Sequence, residues 1–234
     1  MKWRPDPEFL RHALVMVAGH RYWVLPLLPL LWLVFQAVVI YLNPEESLSG
    51  NEVQGPLLAV PMTALAIFFG MRIIAGEIDD GSLEIAYTVP GGVERLLVIK
   101  LAAAFLLLLA SEVLLAAVVY LFFTPFPPGA LYGALQAASF YLILAMAMST
   151  LFRGEAAGAI ATVAILALNG LITGFGDNQV RISPFWNPYD SEAFSTELFA
   201  WTLQNRIGML LAMAAITALA FMRANRRERM LAGS

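Results

Sequence analysis

The chain contains no cysteine and few charged residues. The absence of cysteine from all 234 positions excludes disulfides, thiolate metal sites and lipid attachment through cysteine. Charged residues make up 13% of the chain and hydrophobic ones 60%, whereas soluble domains are about 25% charged and about 45–50% apolar. The hydrophobic residues stand in long blocks rather than in an amphipathic period. The composition therefore predicts an all-α membrane protein with a single transmembrane domain over residues 1–234.

Other absences narrow the function. No short apolar core ending at a small-residue cleavage site occurs near the N-terminus, so we expect no removable signal peptide. No G-x-x-x-x-G-K-[ST] phosphate loop occurs, so we do not expect the chain to be an ATPase itself. Both histidines, His12 and His20, precede the first apolar block. We therefore expect no histidine-ligated metal site and no Ser-His couple inside the membrane.

The apolar blocks are long enough to cross a bilayer. A helix needs about 20 apolar residues to span the hydrocarbon. The sequence predicts six transmembrane helices, at about 22–42, 57–75, 101–123, 130–152, 156–174 and 203–222. The last apolar block is short, so its helix must tilt, thin the bilayer or extend back past Arg206 toward Phe199.

The distribution of basic residues predicts the orientation. Cytoplasmic segments of membrane proteins are enriched in Lys and Arg. If both termini are cytoplasmic, all but two of the 14 Lys and Arg residues lie on the inside, and only Arg181 and Arg206 lie outside. We therefore expect a multi-pass protein with its N- and C-termini inside. A bacterial or archaeal cytoplasmic membrane is the expected location.

Segments outside the spans also carry patterns. Residues of about 6–20 place their apolar side chains on one helical face, which is typical of a helix lying in the membrane interface. The alternative is the frayed start of the first span. Residues 175–205, with several aromatic side chains, form a long outer segment, for which we expect either an interfacial position or a re-entrant hairpin.

The longest predicted cytoplasmic segment, residues 76–100, joins the second and third spans. Asp80, Gly81 and Ser82 are residue types that end one helix and cap the next. Residues 83–89 then predict a short, partly apolar helix, with Glu84 in its first turn, and proline at the next position ends it. The pattern predicts a short cytoplasmic helix joined closely to two spans, although an ordinary solvated loop with routine capping residues is the alternative.

This segment resembles the permease subunits of the type-two ATP-binding-cassette (ABC) exporters. Their pattern is Glu-x-x-x-Gly-Thr-Leu-Glu, followed by a proline and by a lysine at the start of the next span. The matching positions here are Glu77, Gly81, Ser82, Leu83, Glu84, Pro90 and Lys100. Ser82 replaces the usual threonine, and two glycines follow Pro90 where that family often has polar or basic residues. The six-span topology, the N-terminal interfacial helix and the outer segment are also similar to that family.

The resemblance implies a division of labour between subunits. A separate cytoplasmic ATPase subunit would bind ATP and Mg, and this chain, without a cofactor or enzymatic activity of its own, would move the substrate. Its partners would be that ATPase, a second permease in a homodimer or heterodimer, and membrane lipids, with no nucleic acid. The residues implied to couple the chain to the ATPase are Glu77, Asp80, Gly81, Ser82, Leu83, Glu84 and Pro90.

Polar residues inside the predicted spans are further candidates. Glu112 lies near the middle of the third span, where an ionisable group is costly and tends to face protein or a wet path. It either handles substrate or protons, or is a neutral carboxyl bonded to a neighbouring helix. Gln136 and Asn169 favour interhelical hydrogen bonds. Gly-x-x-x-Gly occurs at 129–133, 154–158 and 170–174, and predicts close helix packing within one subunit or at a dimer seam.

Two other functions compete with an ABC permease. A secondary transporter would show inverted repeats with matching broken helices, and the prolines of the first two spans have no counterparts in the last three. An intramembrane aspartyl protease is the second alternative, because residues 174–177 read Gly-Phe-Gly-Asp. Such an enzyme needs two aspartates at one depth, and the predicted spans contain none.

Overall fold

The computed structural model describes residues 7–43, 49–79, 92–174, 181–190 and 195–225. Within these residues every regular element is a helix, and six of the helical segments are long and apolar enough to cross a membrane. The predicted all-α, multi-pass membrane class is therefore confirmed. The predicted orientation of the termini stays a prediction.

The principal helices follow the apolar blocks of the sequence. In chain order they are α1 Pro7–Ala18, α2 Leu28–Leu42, α3 Val60–Asp79, α4 Gly92–Phe122, α5 Gly129–Phe152, α6 Glu155–Gly174 and α7 Ser195–Ala224. A 3-10 turn, Leu25–Leu27, leads into α2, and a π-helical stretch, Gln54–Ala59, leads into α3. A second 3-10 turn covers Pro188–Asp190.

Several helices are longer than the predicted spans. The second span begins at Gln54 instead of 57, because the π-helical stretch around Pro56, which has no N–H to donate, joins directly onto α3. The first α-helical span begins later, at Leu28, after the turns that contain Pro26. The last span extends back past Arg206 to Ser195, which was one of the three solutions expected for its short apolar block.

Helices α3 and α5 form the centre of the bundle and share its most extensive contact. Their axes come close at Gly70, where a Cβ atom would overlap the carbonyl oxygen of Leu142 and the side chain of Ala145. Small residues allow such an approach, and close packing is what holds helices together in lipid. By contrast α2, α6 and α7 expose most of their apolar side chains, as helices facing lipid do.

Helix α4 packs on this centre through a regular apolar face. Its buried residues recur at intervals of four and seven positions, as in Leu97, Ala104, Leu108, Leu115 and Val119. The N-terminal helix α1 lies against α4, and its Ala13 and Val17 are buried there. The apolar face of α1, which was predicted to lie in the membrane interface, is therefore covered in part by protein. Gly19, with a φ of 76°, ends this helix.

The two ends of the bundle are named here by one residue each. The Glu77 end holds the C-terminus of α3, the N-terminus of α4 and the α5–α6 turn. The Trp186 end holds residues 181–190, which lie across it: Gln54 Nε2 donates to the carbonyl of Trp186 at 2.9 Å, and Asn187 Nδ2 to that of Asn51 at 2.6 Å. Residues 175–180 and 191–194 lie outside the described residues, so a re-entrant hairpin in this segment stays a prediction.

Two of the predicted glycine motifs account for packing within the chain. A Cβ atom at Gly133 would overlap the side chain of Gln54, and one at Gly158 would overlap the backbone of Ser149. Gly170 has no neighbouring atom within 4 Å. The first two contacts favour packing within one subunit over a dimer seam.

Candidate functional site

Most of the predicted coupling residues lie outside the described residues. These are Asp80, Gly81, Ser82, Leu83, Glu84 and Pro90. The structure describes Glu77, at the end of α3, and Lys100, in the first part of α4. The candidate site is therefore the set of helix ends that border residues 80–91.

Glu77 and Lys100 form an ion pair in which Lys100 is buried and Glu77 is partly buried. Lys100 Nζ lies 2.5 Å from Glu77 Oε1 and 3.3 Å from the carbonyl oxygen of Ile73, and Lys100 is only 1% exposed. Sequence reasoning placed Lys100 at the rim of its span and did not pair it with Glu77. Burying both charges is costly unless each is matched. The pair therefore fixes α3 against α4 at one defined height.

The end of α3 is also fixed to α6. Asp79 Oδ2 accepts a hydrogen bond of 2.9 Å from the backbone N–H of Glu155, the first residue of α6. A carboxylate at a helix N-terminus satisfies an unpaired N–H and interacts favourably with the helix dipole. Arg72 Nε lies 3.6 Å from Glu155 Oε1. The turn that presents Glu155 is tight, because Arg153 adopts the left-handed conformation with a φ of 58°.

The end of α7 is held at the same place. Asn225 Nδ2 donates to Glu94 Oε1 at the start of α4. Arg223 donates to the carbonyls of Thr150 and Leu151 at 3.4 and 3.2 Å. These are orphan carbonyls at the C-terminus of α5, where a cation is favourable.

These contacts form one group, which we call the clasp: Arg72, Glu77, Asp79, Glu94, Lys100, Glu155, Arg223 and Asn225. The clasp joins the ends of α3, α4, α5, α6 and α7 through polar side chains. Residues 80–91 connect two of its members directly. The helix ends on either side of residues 80–91 are therefore fixed to the rest of the bundle by polar contacts.

Glu112 lies on the buried face of α4, between Leu108 and Leu115, and is 6% exposed. Its Oε1 has no hydrogen-bond partner among the described residues, and the same is true of Ser111 Oγ and of Thr63 Oγ1 on α3. The expected bond from Glu112 to a neighbouring helix is therefore not seen for this oxygen. A buried carboxyl oxygen without a hydrogen-bond partner costs free energy, so packing alone does not explain why a glutamate stands at this position.

Gln136 and Asn169 both make contacts between elements. Gln136 Nε2 donates to Asn205 Oδ1 at 2.9 Å, which joins α5 to α7. Asn169 lies beside Ser183, at a long hydrogen-bond distance of 3.4 Å. Asn205 was not singled out from the sequence, although a lone amide beside an apolar block is the signal that would have found it.

No set of three or more His, Asp or Glu side chains that could hold a metal ion occurs among the residues that the structure describes. No protein-family model, curated protein or solved structure matches the chain. The geometry of the helix ends is therefore the main basis for assigning a function.

Proposed function

We propose that the chain is the transmembrane permease subunit of an ATP-driven ABC exporter. A separate cytoplasmic subunit hydrolyses ATP, and two permease subunits, identical or similar, form the substrate pathway between them. The resemblance of residues 77–100 to the type-two family and the six apolar helices support this proposal. The observation that carries it is the buried Glu77–Lys100 ion pair.

The position of the ion pair makes it the main support for the proposal. Glu77 lies just before residues 80–91 and Lys100 lies just after them, so the pair closes the base of the predicted coupling segment. A buried ion pair adds little net stability over apolar side chains of similar size, because desolvation offsets the attraction between the charges. The pair instead sets the register of α3 against α4 where an ATPase would act.

In this proposal the other contacts of the clasp pass the movement of α3 and α4 on to α6 and α7. When the ATPase closes on ATP it displaces residues 80–91, and α3 and α4 move together because Glu77 and Lys100 join them. Asp79 carries the N-terminus of α6 along, and Glu94 carries the end of α7. Packed helices shift as rigid bodies between discrete arrangements, which is the usual basis of such transitions.

Affinity purification of the tagged chain from its native membrane tests the partner. We expect an ATP-hydrolysing subunit to co-purify, and Asp80→Lys and Glu84→Lys to reduce its recovery. Glu197→Lys, on the exposed start of α7 at the opposite end, is the matched charge-reversal control. Equal recovery from all three variants would contradict the proposal, and transport driven by an ion gradient without ATP would favour a secondary transporter.

A second experiment tests the coupling itself. The double variant Glu77→Met with Lys100→Met removes both charges together, so neither is left buried and unpaired. We expect the reconstituted complex to keep its ATPase subunit and its basal hydrolysis but to lose stimulation by substrate. Full stimulation in the double variant would show that the ion pair has no part in coupling.

A further inference from the structure

A large cavity lies between α4, α5 and α7. Its volume is about 760 Å³, which is within the range of about 300–1,000 Å³ typical of ligand sites. A separate cavity between α2 and α3 is smaller, at about 380 Å³. The walls of the larger cavity are formed mainly by apolar side chains, among them Leu101, Phe105, Leu142, Leu210 and Met213. Helices α4 and α7 both pack on α5 but scarcely touch each other, so the cavity lies in the gap between them.

Polar groups are concentrated toward the Trp186 end of this cavity. Gln136 lines it and is 5% exposed, and its Oε1 has no hydrogen-bond partner among the described residues. Arg206 follows Asn205, the partner of Gln136, and its guanidinium carbon lies 4.6 Å from the ring centroid of Tyr132, which also lines the cavity. Arg206 Nη1 is buried and has no partner in the described part of the chain. The Arg206 guanidinium thus places a positive charge beside Tyr132 in the cavity wall.

A second arginine, Arg181, lies close to Asn205. Asn205 Nδ2 donates to the carbonyl of Arg181 at 2.8 Å, and the Arg181 guanidinium stacks on Trp201 at 3.3 Å from the ring centroid. These two arginines are the only basic residues that the predicted topology leaves on the outer side. Asn205 therefore brings the backbone of Arg181 close to Gln136 and Arg206, and two basic residues lie near the Trp186 end of the cavity.

At the opposite end of the cavity, α4 and the end of α7 are joined by a hydrogen bond. Val98 lines the cavity one turn beyond Glu94, and the hydrogen bond from Asn225 to Glu94 joins α4 to α7 at that level. The long apolar part of the cavity therefore lies beside the lipid-facing surfaces of α4 and α7. A ligand that fits has one long apolar part and one anionic end.

We propose that this cavity binds an anionic membrane phospholipid of the phosphatidylglycerol type. One acyl chain lies between α4, α5 and α7, and the lipid phosphate accepts hydrogen bonds from Arg206 in the field of Arg181. This inference stands on the cavity and its arginines and does not depend on the transport function.

Native mass spectrometry of the purified full chain in detergent tests the proposal. Dioleoyl-phosphatidylglycerol and dioleoyl-phosphatidylcholine have the same chains and differ in the head group. We expect phosphatidylglycerol to be retained preferentially, and Arg206→Met to weaken its binding about tenfold or more through loss of a charge-assisted hydrogen bond. Equal retention of the two lipids by the wild-type chain would overturn the proposal.

A cavity-filling variant separates the acyl-chain site from the arginines. Ala102 lines the cavity and is exposed, so Ala102→Trp fills space without entering the packed core, and Ala110→Trp on the exposed surface of α4 is the matched control. We expect Ala102→Trp to lose the bound lipid and Ala110→Trp to retain it. Retention of phosphatidylglycerol by Ala102→Trp would overturn the proposal, since both variants can be checked for folding by thermal unfolding.

Glycerol 1-phosphate tests whether the ligand is a soluble anion. It carries the phosphate and hydroxyls of the head group without an acyl chain. We expect it not to displace phosphatidylglycerol at equal concentration, because the apolar walls contribute most of the contact area. Displacement at equal concentration would place a soluble phosphate, and not a lipid, in this site.

Discussion

The Glu77–Lys100 ion pair permits a quantitative test of how the helix ends are held together. The perturbations are Glu77→Met, Lys100→Met and the double variant, which together form a double-mutant cycle. Glu77→Met leaves the Lys100 charge without the carboxylate that lies 2.5 Å away, in a site where Lys100 is 1% exposed. Breaking a buried pair in this way costs about 3–5 kcal/mol of the free energy of unfolding.

The double variant is expected to behave differently. It replaces both charges by apolar side chains, and the carbonyl of Ile73, which loses Lys100, still belongs to the hydrogen-bond ladder of α3. Replacing a whole buried pair is often neutral or stabilising. The double variant should therefore cost less than Glu77→Met alone, and the two effects should be strongly non-additive.

A less buried ion pair in the same clasp is the internal control. Arg72 and Glu155 lie 3.6 Å apart and their side chains are 29% and 25% exposed. Exposed pairs contribute about 0.2–1 kcal/mol. The cycle of Arg72→Met and Glu155→Met should therefore give a coupling energy well below that of Glu77 and Lys100.

The assay is unfolding of the purified chain by SDS in mixed micelles. The fluorescence of its five tryptophans reports tertiary packing, and far-ultraviolet circular dichroism reports helix content. Additive costs in the Glu77–Lys100 cycle, or single variants that cost no more than Arg72→Met, would refute the description of this pair as buried and matched.

Three further predictions use the same assay. Gly70→Val should prevent or severely weaken folding, because its side chain would overlap Leu142, whereas Gly170→Val, with no atom within 4 Å of its Cβ position, should fold normally. Glu112→Met should raise the free energy of unfolding by about 1–3 kcal/mol, since it removes a buried oxygen without a described partner, and an unchanged or lower value would show that the carboxyl is satisfied. Asp79→Ala should lose about 0.5–2 kcal/mol through the uncapped N–H at the start of α6, and Asp79→Asn should keep most of that, with equal losses counting against a capping role.

Hydropathy was sufficient to locate the helices because the bilayer sets both their length and their composition. It was less successful at their ends. Residues 54–56, 92–100 and 195–202 continue helices beyond the predicted hydrocarbon spans, since backbone hydrogen bonding does not stop where the apolar run stops. Gln54 is an example: it lies before the start of the predicted second span, yet its side chain is 1% exposed inside the bundle.

The residues of the candidate site were predicted in part, but their contacts were not. The motif named Glu77 and Lys100 on either side of one segment, and nothing in their spacing sets the register that pairs them. The hydrogen bond between Asp79 and Glu155 joins residues on different helices that are far apart in sequence. Such contacts depend on which helices become neighbours, and hydropathy carries no information about neighbours.

The cavity beside α7 and the clasp share helices α4, α5 and α7, so the proposed lipid and the proposed ATPase would act on the same helices. Glu94 belongs to the clasp, and its bond to Asn225 also joins α4 to α7 below the cavity. A displacement of α4 that separates this pair would change the gap that the acyl chain occupies. Because coupling between two sites is reciprocal, a lipid that holds α4 and α7 in one arrangement must also bias the helix ends that border residues 80–91.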